Sequence, residues 1–155
     1  MTRSESITHL TTALALAQGE MPVAVFDATN PFLKSRYASL GAVIQASRPI
    51  LAKHKLSLVQ FPISDATGIG VESILMHESG EFIAERIVIA LTEEKGKSRV
   101  QSAGSTLTYL RRYSWASILG MYSDEDSDGG NLPLGTAAFQ PKTATALPPV
   151  PTQRK

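Results

Sequence analysis

Apolar residues recur along the first part of the chain with the spacing of one helix face. Between residues 4 and 18 they fall three or four positions apart, at Ile7, Leu10, Leu14 and Ala17. Ser4 or Ser6 is expected to cap this helix, because a side-chain oxygen there accepts a backbone N–H of the first turn. Gly19 is expected to end it.

A second helical pattern follows Ser39, which is also suited to a helix cap. Its apolar positions are Leu40, Val43, Ile44 and Leu51. Pro49 lies inside the pattern, and proline lacks an N–H and clashes with the preceding turn. We therefore expect a kink or a break near Ser47–Arg48. The residues between the two helices, 20–36, are predicted to form a loop.

Three strand patterns come next, at Leu56–Ile63, Val71–His77 and Phe82–Leu91. Their connections are short, which predicts antiparallel neighbours, because parallel strands need a longer crossover. A polar stretch over 92–100 leads to a last helix over about 101–121. This order predicts an α+β fold in which a three-stranded antiparallel β-meander packs against helices, a β-β-β-α core with N-terminal helices.

The domain organisation follows from where the periodic patterns stop. We place a folded domain at residues 1–128 and a disordered tail at 129–155, which is rich in Pro, Thr and Ala and has no periodicity. No apolar run is long enough to cross a membrane. The chain has no cysteine, which excludes disulfides and thiolate metal sites and fits a cytoplasmic location.

Basic residues are concentrated in two segments, although the formal net charge is only +1. Residues 31–60 contain Lys and Arg but no acid, and residues 101–122 contain only Arg111 and Arg112 as charged residues. Polyanions respond to such local charge and not to the total. The two segments are therefore the candidates for a positively charged surface.

The last predicted helix carries cations and aromatics together, in GSTLTYLRRYSWASILG. At 100° per residue, Ser105, Thr108 and Arg112 form one polar row, and Tyr109 and Tyr113 form a pair one turn apart. A phosphodiester backbone would match Arg111 and Arg112, with hydroxyls beside them. The alternative is an amphipathic helix whose arginines extend along the surface and whose aromatics complete the core.

The second basic segment precedes the second helix. Lys34, Arg36 and Tyr37 lie on a loop that enters a helix N-terminus, where side chains and backbone N–H groups hold phosphate together. The alternative is a solvated loop with Phe32 and Tyr37 in the core. Further candidates for the same groove are Lys53, Lys55 and Arg99.

Motifs of catalysis are absent from the sequence. The acidic stretch DEDSDGG, from Asp124 to Gly130, matches only the first half of a calcium loop, because Gly135 stands where a bidentate Glu is needed. The three histidines have no paired spacing, and there is neither a Walker motif nor a nucleophile elbow. We therefore expect no enzyme activity, no metal site and no cofactor.

Three segments together resemble a known family. NPFLKSRYASLGAVIQASRPILAKHKLSLVQF, ILMHESGEFIAE and GSTLTYLRRYSWASILGMYSDEDSDG, in this order and spacing, are similar to the Erf (essential recombination function) family of phage single-strand DNA annealing proteins. The resemblance covers about residues 5–129. Many relatives have lysines where this chain has VAVFDATN, so no DNA-binding role is expected for Val23–Asn30.

The resemblance implies homologous recombination by binding single-stranded DNA and annealing complementary strands without ATP hydrolysis. It implies a fold similar to the eukaryotic Rad-type annealing proteins, and a homo-oligomer in the form of a ring or helical filament. The implied DNA-binding residues are Lys34, Arg36, Tyr37, Arg111, Arg112 and Tyr113. A host single-strand-binding protein or a phage exonuclease is a further expected partner, in the bacterial host cytoplasm and with no membrane involved.

The sequence leaves two alternatives to annealing. One is a passive module that binds single-stranded DNA or RNA without accelerating pairing. The other is a metal-dependent nuclease that uses Asp124, Asp126 and Asp128, although these acids are contiguous in a glycine-rich segment. The annealing hypothesis requires that the basic side chains of the two segments converge in one groove that holds the phosphates of a strand.

Overall fold

The computed structural model describes residues 1–30, 35–90, 96 and 98–122. Its elements, in chain order, are β1 (Thr2–Arg3), α1 (Thr8–Glu20), β2 (Ala28–Thr29), β3 (Arg36–Tyr37), α2 (Leu40–Lys53), β4 (Leu56–Asp65), β5 (Gly68–His77), β6 (Phe82–Ile89) and α3 (Arg99–Leu119). The fold class is α+β, as predicted. The acidic stretch from Asp124 and the predicted tail lie outside the described residues.

The main sheet has four antiparallel strands, in the order β1-β6-β5-β4. The prediction of three strands is corrected by β1, in which Thr2 pairs with Ala84. Two residues are too short to show the alternation that identifies a strand in a sequence. Strand β5 also begins earlier than predicted, at Gly68. Glycine is uncommon in strands, but Gly70 is required inside this one, because a Cβ there would lie 2.1 Å from the carbonyl oxygen of Ile87 on β6.

A second, two-stranded sheet joins β2 to β3, with Ala28 opposite Tyr37. The prediction that residues 20–36 form only a loop is therefore wrong, because part of this segment belongs to a short ribbon. Its alternation is not visible in the sequence, because each strand has only two residues. The ribbon fixes Tyr37 immediately before α2, and this position determines one wall of the site below.

The helices pack together in a core that reaches one face of the main sheet. Leu10, Val43 and Leu119, one from each helix, are fully buried among the strand residues Leu58 and Leu75. The core also includes a polar contact: the Nε1–H of Trp115 donates to the Ser47 hydroxyl oxygen at 2.9 Å. α2 and α3 are thereby held side by side.

Of the kink or break predicted near Ser47–Arg48, the break is wrong, because helix α2 continues through Pro49 as one element. Proline deprives the carbonyl of Gln45 of its N–H partner. Both residues lie on the exposed side of the helix, where water can take the place of that partner. The Ser39 hydroxyl oxygen accepts the N–H of Ala42 at 3.2 Å, which confirms the predicted cap.

The start of α1 depends on a distant carboxylate. Its cap residue is Ile7, not the predicted Ser4 or Ser6, and provides no side-chain acceptor. Instead the N–H of Leu10 donates to buried Glu81 at 2.7 Å. Burial would raise the pKa of the Glu81 carboxyl, but this bond and the Ser6 hydroxyl together lower it.

Candidate nucleic-acid interface

A groove of about 810 Å³ runs along the first two-thirds of α3. One wall is formed by the residues that lead into α2, and the other by α3 itself. The residues that line it are Tyr37, Ser39, Leu40, Gly96, Gln101, Gly104, Ser105, Thr108, Tyr109 and Arg112. Hydroxyls, an amide and tyrosine rings dominate this surface, and Arg112 is its one cationic lining residue among those described.

The two ends of α3 are fixed by its caps. The Ser98 hydroxyl oxygen accepts the N–H of Gln101 at 3.3 Å, and the Gln101 side-chain oxygen accepts the N–H of Ser98 at 2.9 Å, a capping box. Gly120 ends the helix in the left-handed conformation, with a φ of 68°. Between them, the predicted polar row Ser105, Thr108 and Arg112 lines the groove, which confirms the helical-wheel interpretation.

The opposite wall is held by Asp27. Its two carboxylate oxygens accept the N–H and the hydroxyl of Ser39, each at 2.7 Å. These two hydrogen bonds, the backbone one first, hold the pKa of the Asp27 carboxyl below its ordinary value. Asp27 thereby fixes the beginning of α2.

Arg112 lies beneath this groove and is almost completely enclosed, with only 8% of its surface exposed. Its guanidinium carbon lies 4.2 Å from the ring centroid of Tyr37, 4.8 Å from that of Tyr113 and 5.8 Å from that of Tyr109. Its Nη1 donates to the carbonyl of Ala38 at 3.4 Å. The two candidate segments therefore do meet, and they meet through tyrosine rings around one cation.

Tyr109 forms the open part of this cluster. Its ring centroid is 4.3 Å from that of Tyr113, which confirms the predicted pair, and 54% of its surface is exposed. Tyr109, Ser39 and Gln101 line the groove but were not predicted to do so from the sequence. The available signal was that Tyr109 lies one turn after Ser105, only about 40° from this member of the polar row on the helical wheel.

Arg111 faces a different part of the molecule. Its Nε donates to the Gln60 side-chain oxygen on β4 at 3.4 Å, and its carbonyl accepts from the Gln60 amide at 3.0 Å. Gln60 also donates to the Ser73 hydroxyl oxygen at 3.1 Å. Neighbours on a helix differ by about 100° in direction, and this separates Arg111 from Arg112. The two adjacent arginines do not form one phosphate clamp.

Lys53 and Lys55 lie at the other end of α2, about 20 Å along the helix from Ser39. The Lys53 ammonium is 2.7 Å from a carboxylate oxygen of Glu20, and Lys55 forms an ion pair with Glu78. The Lys53 contact, first among several, lowers the pKa of the Glu20 carboxyl. These two predicted DNA ligands are thus part of local ion pairs.

The remaining candidates lie around the ends of the groove or outside the described part of the chain. Arg36 is exposed next to Tyr37 on β3 and donates to the carbonyl of Phe26 at 2.7 Å. Arg99 is the exposed first residue of α3. Lys34 lies outside the described residues.

Two further findings concern the described ranges alone. They contain no group of three His, Asp or Glu side chains placed to hold a metal ion. The acids of the nuclease alternative, from Asp124 onward, lie beyond these ranges. No helix in the described part is both long and apolar enough to cross a bilayer.

Comparison with known proteins gives one match. A sequence model of the ERF superfamily matches residues 10–147, and so extends beyond residue 129, where the motif resemblance ended. Neither a curated protein nor a solved structure matches the chain.

Proposed function

Since the chain belongs to the ERF superfamily, we propose that it binds single-stranded DNA and anneals complementary strands in recombination without ATP hydrolysis. The observation that supports this most directly is the groove in which the Tyr37 segment and α3 meet around Arg112. It is long, lined by hydroxyls and aromatic rings, and bordered by the starts of two helices.

The positive potential of the groove has two sources. Arg112 contributes one charge beneath it. Ser39 is the cap of α2 and Gln101 lies in the first turn of α3, so both helix N-termini, which carry partial positive charge, border the same groove. The Asp27 carboxylate on Ser39 offsets the charge of the α2 N-terminus, so that of α3 is the stronger of the two. A phosphate chain is attracted to such a surface through N–H groups and hydroxyls as well as through full charges.

Annealing then follows from what the groove leaves free. A strand that is held along its length keeps most of its bases available, and reduced repulsion between phosphates lets a second strand approach. Complementarity supplies roughly 1.4 kcal/mol per base-pair step, so no nucleotide hydrolysis is needed. A ring or filament of copies would multiply weak contacts along the strand. A host single-strand-binding protein or an exonuclease remains a proposed partner.

The test is the rate at which complementary oligonucleotides pair, measured by fluorescence with and without ATP. Gly104 offers a matched pair of variants, because it lines the groove and a Cβ there meets nothing within 4 Å. Gly104→Ala should keep annealing, while Gly104→Glu should abolish it by placing a carboxylate among the phosphates.

Each of the other outcomes identifies an alternative. Strand binding without faster pairing would establish the passive module. Loss of full-length oligonucleotide on addition of Mg²⁺ would establish the nuclease. Normal annealing by a folded Gly104→Glu protein would show that the groove does not hold the strand.

A further inference from the structure

Arg112 has surroundings that differ from those of a phosphate ligand. A bidentate contact with phosphate requires that the planar guanidinium presents its N–H groups to the ligand. Here the residue is 8% exposed, its guanidinium carbon lies over the rings of Tyr37 and Tyr113, and Nη1 donates to the Ala38 carbonyl. The guanidinium is engaged with the protein itself.

The rings around Arg112 form a continuous series. Tyr37 and Tyr113 contact the cation, and Tyr109 packs on Tyr113 with 4.3 Å between centroids. Tyr109 is the half-exposed member at the groove. The series therefore ends in one aromatic ring that is supported from below by packed groups and open to a ligand above.

We infer that Arg112 is a positioning residue, which orders Tyr37, Tyr113 and Tyr109 into a platform on which a nucleobase of the bound strand stacks. The inference rests on the proposed function, since it describes how the same groove holds single-stranded DNA. It assigns the affinity that depends on Arg112 to base stacking and not to a phosphate contact. One base on each chain is held in this way, and its neighbours stay available for pairing.

The chemistry of the groove beside Tyr109 suits a base. Ser105 and Thr108 line the same groove as the ring and add hydroxyl oxygens to it, and a Cβ at Gly104 would meet nothing within 4 Å. Aromatic stacking tolerates any sequence, because every base has a π-face. The groove can therefore favour single strands without selecting among sequences.

The first test uses the wild-type protein and two oligonucleotides of equal length, one of thymidines and one with abasic sites. Both present the same phosphates, so a protein that contacts phosphate alone binds them equally. We expect the thymidine strand to bind about tenfold more tightly, in keeping with stacking of one base. Equal affinities overturn the inference.

The second test separates stacking from charge. Arg112→Gln and Arg112→Lys should both lose the preference for the thymidine strand, because an ammonium group does not reproduce the planar contact with the rings. Because Arg112 contacts no phosphate in this arrangement, Arg112→Gln should lower the logarithmic salt slope by well under about 0.7, and Arg112→Lys, which keeps the charge, should leave the slope unchanged. A phosphate ligand behaves otherwise: Arg112→Gln would reduce the logarithmic salt slope by about 0.7, and Arg112→Lys would restore it.

Variants of Tyr109 keep the inference testable if the Arg112 variants do not fold. Tyr109 is half exposed, so Tyr109→Ala should fold, lose the preference and keep the salt slope. Tyr109→Phe should retain the preference. If Tyr109→Ala discriminates between the two strands as well as wild type does, the platform is refuted. Absence of any binding to single strands would instead refute the proposed function.

Discussion

The two ends of α2 carry positive charge in different ways. At its start, Ser39 and Leu40 border a groove whose cation, Arg112, is enclosed by tyrosine rings. At its end, Lys53 and Lys55 are exposed and each meets a carboxylate from another segment. The segment looks uniformly basic along the sequence, yet only its beginning belongs to the groove.

The difference shows that positive charge depends on what the fold brings beside it. Glu20 and Glu78 reduce the field at the end of α2, although such exposed pairs add little to stability. At the start of α2 the helix N-terminus adds to the field of Arg112. The carboxylate of Asp27, bound to Ser39, stays ionised and offsets part of this field at the wall of the groove.

The largest expected effect comes from a new negative charge in the groove at the start of α2, compared with the same charge at the end of α2. Gly104→Glu should weaken binding of single-stranded DNA by about 100-fold, because a carboxylate next to phosphate costs several kcal/mol. Ala52→Glu places the same charge at an exposed position near Lys53 and should change affinity by less than about threefold. Fluorescence anisotropy of a labelled oligonucleotide measures both, and equal losses would remove the distinction between the ends.

Acid should destabilise both ends of α2 through their carboxylates. The pKa values of Asp27 and Glu20 are both lowered, so each carboxylate stabilises the fold above its ordinary pKa, near 4, and loses this effect as pH falls through the lower folded value. Thermal unfolding between pH 6 and 3 should show a smaller acid loss for Asp27→Asn and for Glu20→Gln.

Salt sharpens this comparison. The partner of Asp27 is an uncharged hydroxyl and N–H, whereas that of Glu20 is an ammonium group. At about 1 M salt the effect of Glu20→Gln should largely disappear and that of Asp27→Asn should remain. An equal response of the two variants to salt would contradict the assignment.

A smaller effect is expected from Gly104→Ala. Alanine in a helix interior is more stable than glycine by about 0.5–1 kcal/mol, and the added methyl group meets nothing within 4 Å. Urea unfolding should show this gain, and single-strand affinity should stay within about twofold. A loss of stability would mean that the groove closes more tightly on α3 than the distances indicate.

The smallest effect is expected for the double variant Lys53→Gln with Lys55→Gln. Both cations are already paired, so the affinity and the salt slope for single-stranded DNA should remain close to wild type. A slope reduced by more than about 1 would restore these lysines as phosphate ligands.

Local periodicity predicted what depends on near neighbours. The polar row Ser105, Thr108 and Arg112 and the pair Tyr109 and Tyr113 follow from the geometry of a single helix, and both are found as expected. The cap at Ser39 likewise needs only the next three residues. The α+β class followed from the order of the longer elements.

The enclosure of Arg112 could not be predicted, because Tyr37 reaches it from 75 positions away. The acids that pair with Lys53 and Lys55 are also remote in sequence, and a count of charges along one segment omits them. The missed strand β1 and the wrongly predicted break at Pro49 have local causes. A strand of two residues shows no alternation, and an exposed turn of a helix tolerates a proline.

The bond between Leu10 and Glu81 constrains the order in which this chain folds. The two residues are 71 positions apart, so the first turn of α1 gains its carboxylate cap only when the connection between β5 and β6 has come next to it. Contacts of such long range form slowly, because the intervening loop must close first. We expect the amides at the start of α1 to gain protection from hydrogen exchange only after those of the β5–β6 hairpin.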